Sequence, residues 1–323
     1  MWCACPVCET MAEPTPEGDS TRRLVDLLLD RQRPDKELGQ HFLLDLKVLN
    51  RAVELAAISS SSHVLEIGPG PGTLTQRLVA AGARVTAIEI DEIACEHLRR
   101  TRGEEIDSGR LNLVEGDALH IEWPKDITHV VSNPPYQISS PLLAKVDRWQ
   151  SAARNRGDEP LAAVVVLLQE EFAQRMAMVE GPASRGPLGM QTAFHWNCEL
   201  DASVPPHAFA PHPAIHSRLV RLTPRNLAAD LGIDVDVRLV KRMVDEAFLE
   251  RRKKVKNRLK RPPKRIERVP GWHRARWRDA VSALLGKPEL EGVRDDWREV
   301  RPDELEPAEW LLIGAELERD IHS

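Results

Sequence analysis

The residues best suited to chemistry are four consecutive ones, Asn133-Pro134-Pro135-Tyr136. The two prolines lack N–H donors and have restricted φ angles, so they predict a rigid loop with outward-facing carbonyls. Such a loop can present the Asn133 side-chain oxygen and the Pro134 carbonyl as two acceptors for one planar amino group. Acceptors that draw the amine towards tetrahedral geometry localise its lone pair, which favours attack on an electrophilic methyl group. Tyr136 offers a face for stacking a base, although the motif alone could also be a plain turn.

Three glycines at alternate positions, Gly68, Gly70 and Gly72, follow a predicted strand. Glycine lets the backbone approach a ligand where a Cβ atom would collide. A glycine-rich turn alone is equally consistent with a structural turn. The spacing G-x-G-x-G also differs from the G-x-G-x-x-G of dinucleotide sites.

Acidic residues stand at the ends of the next two predicted strands. Glu89 can accept hydrogen bonds from both ribose hydroxyls of a nucleoside, and Asp117 lies where an adenine amino group would be reached. The alternative for Glu89 is to cap the following helix, a role that Asp91 fits better. Because the carboxyl ends of parallel strands share one edge of a sheet, these residues predict a single ligand crevice. Together they suggest S-adenosylmethionine, with dinucleotide binding as the second interpretation.

The elements that must position these residues alternate between apolar strands and helical patterns, which predicts a parallel sheet covered on both faces. The fold class is therefore α/β: a doubly wound, Rossmann-like methyltransferase sheet with a smaller, mainly helical C-terminal domain. We expect a flexible N-terminal appendage over 1–36, the methyltransferase domain over 37–224 and the helical domain over 225–323. The predicted strands are His63–Ile67, Arg84–Ile90, Leu111–Glu115, His129–Ser132 and Ala162–Leu168, and the predicted helices include Thr73–Ala81, Ile93–Arg102, Val235–Lys260, Arg274–Leu285 and Pro307–Asp320.

The formal net charge of −5 argues against a nucleic-acid partner, but it hides a strong asymmetry. The stretch 251–278 holds fourteen Lys and Arg against one acid, whereas residues 287–323 hold twelve acids against five bases. A basic band in an otherwise acidic chain predicts contact with a polyanion, followed by an acidic tail. A solvated helix face is the alternative.

The five cysteines do not suit a disulfide framework in a chain of 323 residues. Cys3, Cys5 and Cys8 are close together but lack a fourth ligand nearby, so no metal site is predicted. The longest apolar run, 161–168, is too short to span a bilayer. The first residues lack the basic and apolar regions of a secretory signal. We therefore expect a reduced, cytoplasmic protein without a membrane partner.

From about Leu38 to Lys260 the chain resembles the ribosomal RNA adenine N6-dimethyltransferases. The blocks after Val204 carry the most weight, because general adenine methyltransferases do not share them. The resembling blocks are Leu38-Gly-Gln-His-Phe-Leu43, Glu66-Ile-Gly-Pro-Gly-Pro-Gly-Thr-Leu-Thr75, Asn133-Pro-Pro-Tyr-Gln-Ile-Ser-Ser-Pro141, Val204-Pro-Pro-His-Ala-Phe-Ala-Pro-His-Pro213, Ser217-Arg-Leu-Val-Arg-Leu222 and Phe248-Leu-Glu-Arg-Arg-Lys-Lys-Val-Lys-Asn-Arg-Leu-Lys260.

The resemblance implies S-adenosylmethionine-dependent transfer of two methyl groups to N6 of each of two adjacent adenosines. These lie in a hairpin loop near the 3′ end of small-subunit rRNA. The implied partner is that rRNA or a pre-30S-type ribosomal particle, and no oligomer is implied. The implied site residues are His41, Leu43, Gly68, Gly70, Glu89, Asp117 and Asn133 for the cofactor, Asn133, Pro134 and Tyr136 for catalysis on the adenine, and Arg251, Arg252, Lys253, Lys254 and Lys256 for RNA phosphates.

Four residues depart from the family pattern. His41 stands in place of Asn, Pro134 in place of Leu or Thr, and Arg185 and Pro187 in place of Lys and Tyr. Pro134 moves the loop towards the N-P-P-Y of DNA adenine and protein glutamine methyltransferases, so these remain alternative activities. A ribosome-assembly factor with non-essential catalysis is the alternative of a different class.

Overall fold

The central sheet combines parallel strands with antiparallel ones. The computed structural model describes residues 16–31, 39–179 and 181–319. Within them, seven strands pair in the order β4-β3-β2-β5-β6-β9-β7, and β1 pairs with β8 in a separate antiparallel ribbon. The described strands are β1 (Phe42–Leu43), β2 (His63–Ile67), β3 (Arg84–Glu89), β4 (Leu111–Glu115), β5 (His129–Ser132), β6 (Ala163–Gln169), β7 (Trp196–Val204), β8 (Phe209–Ala210) and β9 (Ser217–Pro224).

The predicted α/β fold class is confirmed. Strands β2 to β6 pair in parallel, while β9 and β7 add an antiparallel edge. Strand order reverses direction between β2 and β5, which makes their carboxyl ends the switch point of a doubly wound sheet. All five predicted strands are present within one residue at each end.

Helices cover both faces of the sheet, because alternate residues of each strand point to opposite sides. Val64 packs with helices α2 and α3, and its neighbour Leu65 packs with α6 and α7 on the other face. The described helices are α1 (Pro16–Leu29), α2 (Leu46–Ala56), α3 (Thr73–Ala80), α4 (Glu92–Thr101), α5 (Gly103–Asp107), α6 (Ser139–Arg156), α7 (Glu170–Ala177), α8 (Pro187–His195), α9 (Leu227–Asp230), α10 (Val237–Phe248), α11 (Val255–Leu259), α12 (Arg274–Gly286) and α13 (Pro307–Arg319).

Part of the expected N-terminal appendage belongs to the folded protein. Val25 and Leu28 of α1 are fully buried, and they pack with Phe42 and with Ala94 of α4. The expectation of flexibility is therefore wrong for this helix, because its apolar stripe is covered. The cysteines near the start, Cys3, Cys5 and Cys8, lie outside the described residues.

The C-terminal helices enclose a second core. Trp277, Trp297 and Trp310 are fully buried in it, and α8 contributes Met190 and Phe194 from before the predicted boundary. Because α13 supplies Trp310 to this core, the acidic segment is part of the folded domain as far as Arg319.

The predicted helix over 235–260 is wrong, since the chain turns between α10 and α11. The guanidinium of Arg258 is buried and donates to both the carbonyl and the carboxylate of Glu246. A continuous helix would separate these residues by about 18 Å, at 1.5 Å per residue. The turn also buries Val255 and Leu259 in the second core.

Candidate active site

An open cavity of about 1130 Å³ lies beyond the carboxyl ends of strands β2 to β5. The sheet, the ribbon strand β1 and the loop after β5 all contribute walls. Every residue predicted to hold the cofactor or the adenine lines this cavity: His41, Leu43, Gly68, Gly70, Glu89, Asp117, Asn133, Pro134 and Tyr136.

The glycine-rich turn after β2 requires glycine at Gly70 for two reasons. Its φ of +53° lies in the left-handed region, and a Cβ atom there would stand 2.9 Å from the Phe42 ring. Its backbone N–H donates to Glu89 Oε2 at 3.0 Å. The turn therefore positions the carboxylate as well as bringing the backbone close to the cavity.

Asp91 caps the following helix, which leaves the Glu89 carboxylate to face the cavity. Asp91 caps α4 by accepting from the backbone N–H groups of Ile93 and Ala94. Glu89 is buried, and its Oε1 accepts from Ile90 N at 2.9 Å and Asp91 N at 3.0 Å. A carboxylate has about four lone-pair sites, so the contact from Gly70 leaves one, on Oε2. The carboxylate thus has room for one ribose hydroxyl rather than two. Burial raises the pKa of Glu89.

Asp117 is an ionised acceptor at the rim of the cavity. Its Oδ1 accepts from Leu119 N at 2.7 Å, and its Oδ2 lies 2.6 Å from His120 Nδ1. The Leu119 N–H and then the His120 side chain hold the pKa of Asp117 below its usual value. The carboxylate is therefore available to an amino group that enters from the cavity.

The Asn133 amide is oriented by the chain that crosses above it. Its Nδ2 donates to the backbone carbonyl of His41 at 3.0 Å, and its Oδ1 has no donor among the described residues, so it can accept. The His41 ring stacks against Tyr136 with a centroid distance of 5.7 Å and an interplanar angle of 29°. The Tyr136 hydroxyl is bonded to the buried Ser217 hydroxyl. Asn133 and Tyr136 are thus each held by a hydrogen bond to a residue outside the loop.

His41 is held in turn by a hydrogen bond that its ring makes to the backbone. His41 Nδ1 lies 2.9 Å from the carbonyl of Pro211, just after β8, so this nitrogen carries the donated proton. The departure of this chain from the family asparagine therefore places an aromatic ring between the ribbon and Tyr136.

Glu66 is a cavity residue that the sequence reasoning did not select. It is 1% exposed, and Thr75 Oγ1 donates to its Oε2 at 2.7 Å. Burial, partly offset by that hydrogen bond, raises its pKa to about 8. The signal was present in the sequence, because Glu66 interrupts an otherwise apolar buried strand.

The lining favours S-adenosylmethionine over a dinucleotide. Glu66, Glu89 and Asp117 face the cavity, and neither lysine nor arginine is found among the described residues that line it. Such a lining suits a ligand that carries a sulfonium, an ammonium group and ribose hydroxyls. A dinucleotide would bring a pyrophosphate, which carboxylates at Glu89 and Asp117 would repel with no lysine or arginine of the described lining to offset them.

The five residues predicted to contact RNA lie outside the cavity lining, and four of them are ion-paired. Arg251 pairs with Asp303, Lys253 with Glu250, and both Lys254 and Lys256 pair with Glu299. Arg252 is exposed and has no ion-paired or hydrogen-bonded partner within the described residues. Arg185 pairs with Glu306, so the loop before α8 is tied to the segment before α13.

Neither a cluster of metal-binding side chains nor a membrane-spanning helix is found in the described part of the chain. No three histidine, cysteine, aspartate or glutamate side chains are grouped so that they could hold a metal ion. None of the helices described there combines the length and hydrophobicity that crossing a bilayer requires.

Comparison with known proteins places this site in a family. The family described as ribosomal RNA adenine dimethylase matches residues 31–268. A probable ribosomal RNA small subunit methyltransferase A of Haloquadratum walsbyi is 40% identical over 224 residues, covering 69% of this chain and 71% of the relative. The ribosomal RNA small subunit methyltransferase A of Gloeobacter violaceus is 40% identical over 227 residues, covering 70% and 79%.

Two solved structures show the same fold. A dimethyladenosine transferase from Plasmodium falciparum superposes with a TM-score of 0.66 at 23% identity, covering 86% of this chain and 98% of that one. The 23S rRNA methyltransferase ErmE superposes with a TM-score of 0.58 at 23% identity, covering 86% and 99%. The match of the family over residues 31–268 includes both the cavity and the start of the helical domain, and the chain therefore belongs to the ribosomal RNA adenine dimethylase family.

Proposed function

We propose that this protein transfers methyl groups from S-adenosylmethionine to N6 of adenosines in small-subunit rRNA. The observation that carries the proposal is the Asn133 amide, whose nitrogen is engaged by His41 so that its oxygen is left to accept from an incoming amino group. The family membership supports the substrate class, and the carboxylate-lined cavity supports the cofactor.

In the proposed reaction the chain acts by orientation and electrostatics. When bound, S-adenosylmethionine supplies a methyl group already activated by the sulfonium. Asn133 Oδ1 and the Pro134 carbonyl accept hydrogen bonds from the two N6–H groups and localise the nitrogen lone pair. Tyr136 presents a ring for the adenine, and stacking of this kind is worth roughly 1–3 kcal/mol. The N6–methyl bond forms as the sulfur–methyl bond breaks, and one N6 proton then leaves to solvent.

The target we propose is the pair of adjacent adenosines in the 3′-terminal hairpin loop, each dimethylated. An unpaired loop suits the site, because its bases can be splayed out into a pocket at low cost. After the first transfer the nitrogen retains one proton, so one acceptor suffices for the second. We propose a pre-30S-type particle as the form of the substrate and the cytoplasm as the compartment. The described cysteines, Cys95 and Cys198, are unpaired thiols, as a reducing compartment requires.

The decisive experiment supplies purified protein and labelled S-adenosylmethionine to undermethylated small subunits. We expect label in the rRNA, and mass spectrometry of its nucleosides should give N6,N6-dimethyladenosine at two neighbouring positions. Naked duplex DNA and a glutamine-containing peptide serve as competing substrates. Transfer to either of these, with unlabelled ribosomal particles, would overturn the proposal in favour of the alternative activities.

A further inference from the structure

The cations of the stretch 251–278 fall into two sets that differ in whether a carboxylate already neutralises them. In the paired set, Arg251 Nη2 lies 2.9 Å from Asp303, Lys254 Nζ lies 2.7 Å from Glu299, and Lys256 shares Glu299. The same two lysines lower the pKa of Glu299 to about 2. The Glu299 carboxylate therefore stays ionised at any pH at which the protein would meet RNA.

The carboxylates belong to a segment that is fixed in place. We call residues 299–303 the acidic arm. Trp297 before it and Leu305 after it are fully buried, and Val255 N donates to the Val300 carbonyl at 2.9 Å. The backbone of the acidic arm is therefore anchored to the domain, and a phosphate at the paired set would meet the carboxylates of Glu299 and Asp303 at close range.

The second set follows in the loop between α11 and α12. Lys264, Arg265 and Arg268 are exposed, and their side chains have no ion-paired or hydrogen-bonded partner among residues that the structure describes. Ile266 and Val269 are buried in the second core and anchor this loop. The unpaired set thus consists of three cations within five residues, anchored beside Ile266 and Val269. The one acid among them, Glu267, has its carboxylate 3.5 Å from the Arg274 guanidinium.

We propose that the RNA backbone docks on the unpaired set, and that the acidic arm keeps phosphates away from the paired set. Binding at the unpaired set releases only counterions, a favourable term that grows with the number of phosphates contacted. Binding at the paired set must first break ion pairs to carboxylates whose backbone is anchored beside the same cations. The inference rests on the proposed function for the identity of the RNA, and it relocates the contact from residues 251–256 to residues 264–268.

The test compares two triple variants that remove the same charge. One is Lys264→Gln, Arg265→Gln and Arg268→Gln, and the matched control is Arg251→Gln, Lys254→Gln and Lys256→Gln. The probe is a transcript of the 3′-terminal small-subunit hairpin, with binding followed by fluorescence anisotropy between 50 and 300 mM KCl. Far-ultraviolet circular dichroism and thermal unfolding establish that each variant is folded.

We expect the unpaired-set variant to lose about 100-fold in affinity near 0.15 M salt, at roughly fivefold per lost phosphate contact. Its slope of log affinity against log salt should become shallower by about 2 to 3. The control should change affinity by less than about threefold. A control loss equal to or greater than that of the unpaired-set variant would overturn the proposal.

A further variant tests the acidic arm itself. Glu299→Gln with Asp303→Asn should strengthen RNA binding severalfold, because it frees the paired set, and unchanged affinity would contradict the role of the arm. The wild-type methylation assay separates this proposal from the proposed function. RNA that binds through the unpaired set without being methylated would refute the function alone, whereas methylation with equal losses in both triple variants would refute the surface alone.

Discussion

Replacement of Asn133 by alanine separates binding from chemistry at this site. The change removes the Oδ1 acceptor and deprives the His41 carbonyl of the donor that lies 3.0 Å away. The hydrogen bond to His41 is worth only about 0.5–1.5 kcal/mol. Loss of one pre-organised partner of a transition state typically costs roughly 10²–10³ in kcat, or about 2.7–4 kcal/mol. We therefore expect kcat to fall by at least about 100-fold while the Kd of S-adenosylmethionine changes by less than about tenfold.

The assay is single-turnover transfer of labelled methyl groups to undermethylated small subunits, with cofactor affinity measured separately by titration calorimetry. Asn197→Ala is the matched control, because Asn197 is exposed on the edge strand β7. It should leave both quantities at the wild-type level. An Asn133→Ala enzyme with kcat within threefold of wild type would refute the acceptor role. A loss confined to cofactor affinity would refute it as well and would make Asn133 solely a cofactor residue.

Three further predictions concern other residues of the cavity. Tyr136→Ala should reduce kcat/KM by about 5- to 150-fold, the equivalent of 1–3 kcal/mol of stacking, whereas Tyr136→Phe keeps the ring and loses only the bond to Ser217; equal rates for the two variants in the methylation assay would contradict this. Gly70→Ala should weaken cofactor binding measured by calorimetry, since the new Cβ would meet Phe42 and left-handed backbone costs roughly 1–2 kcal/mol for other residues; wild-type affinity would count against the close approach. The raised pKa of Glu66 means that the folded state keeps a proton the unfolded state releases, so its stabilising effect is complete below pH 4.5 and is lost as pH rises towards 8. The free energy of unfolding without cofactor should therefore carry a component that falls by up to about 1.4 kcal/mol per pH unit in that range. Denaturant titrations of the Glu66→Gln variant should lack this component. If the unfolding free energies of the wild type and the variant instead depend on pH in the same way, Glu66 is ionised in the folded protein.

The parallel strands and the cavity residues were predictable because their signals are local. Continuous apolar runs and the glycine turn after β2 fix the strand ends, and the residues at those ends meet at one edge of the sheet. Once the strands are placed, Glu89, Asp117 and Asn133 must lie near one another. The cavity contains all three.

The partners that orient these residues were not predictable from local patterns. Nothing near Asn133 in the sequence indicates that the His41 carbonyl holds its amide, since that contact depends on how β1 pairs with β8. The antiparallel strand β7 was not predictable either, because its residues are mostly polar or half-buried and form no apolar run.

Charge patterning along the sequence could not show which cations are paired, for a related reason. The basic stretch and the acidic segment were separate features of the sequence, but the fold brings Glu299 onto Lys254 and Lys256. Net charge along a chain counts residues, whereas the potential that a phosphate experiences depends on which of them are neighbours in space.

The ribbon of β1 and β8 gives the cavity a wall that is separable from the main sheet. Phe42 and Leu43 pair with Ala210 and Phe209, which come from opposite ends of the catalytic part of the chain. Two short strands open at a lower free energy than a seven-stranded sheet. We therefore expect departure of the spent cofactor to need only local unfolding of this ribbon, with the sheet intact. The turnover rate would then depend on the backbone hydrogen bonds between β1 and β8, which contact none of the reacting atoms.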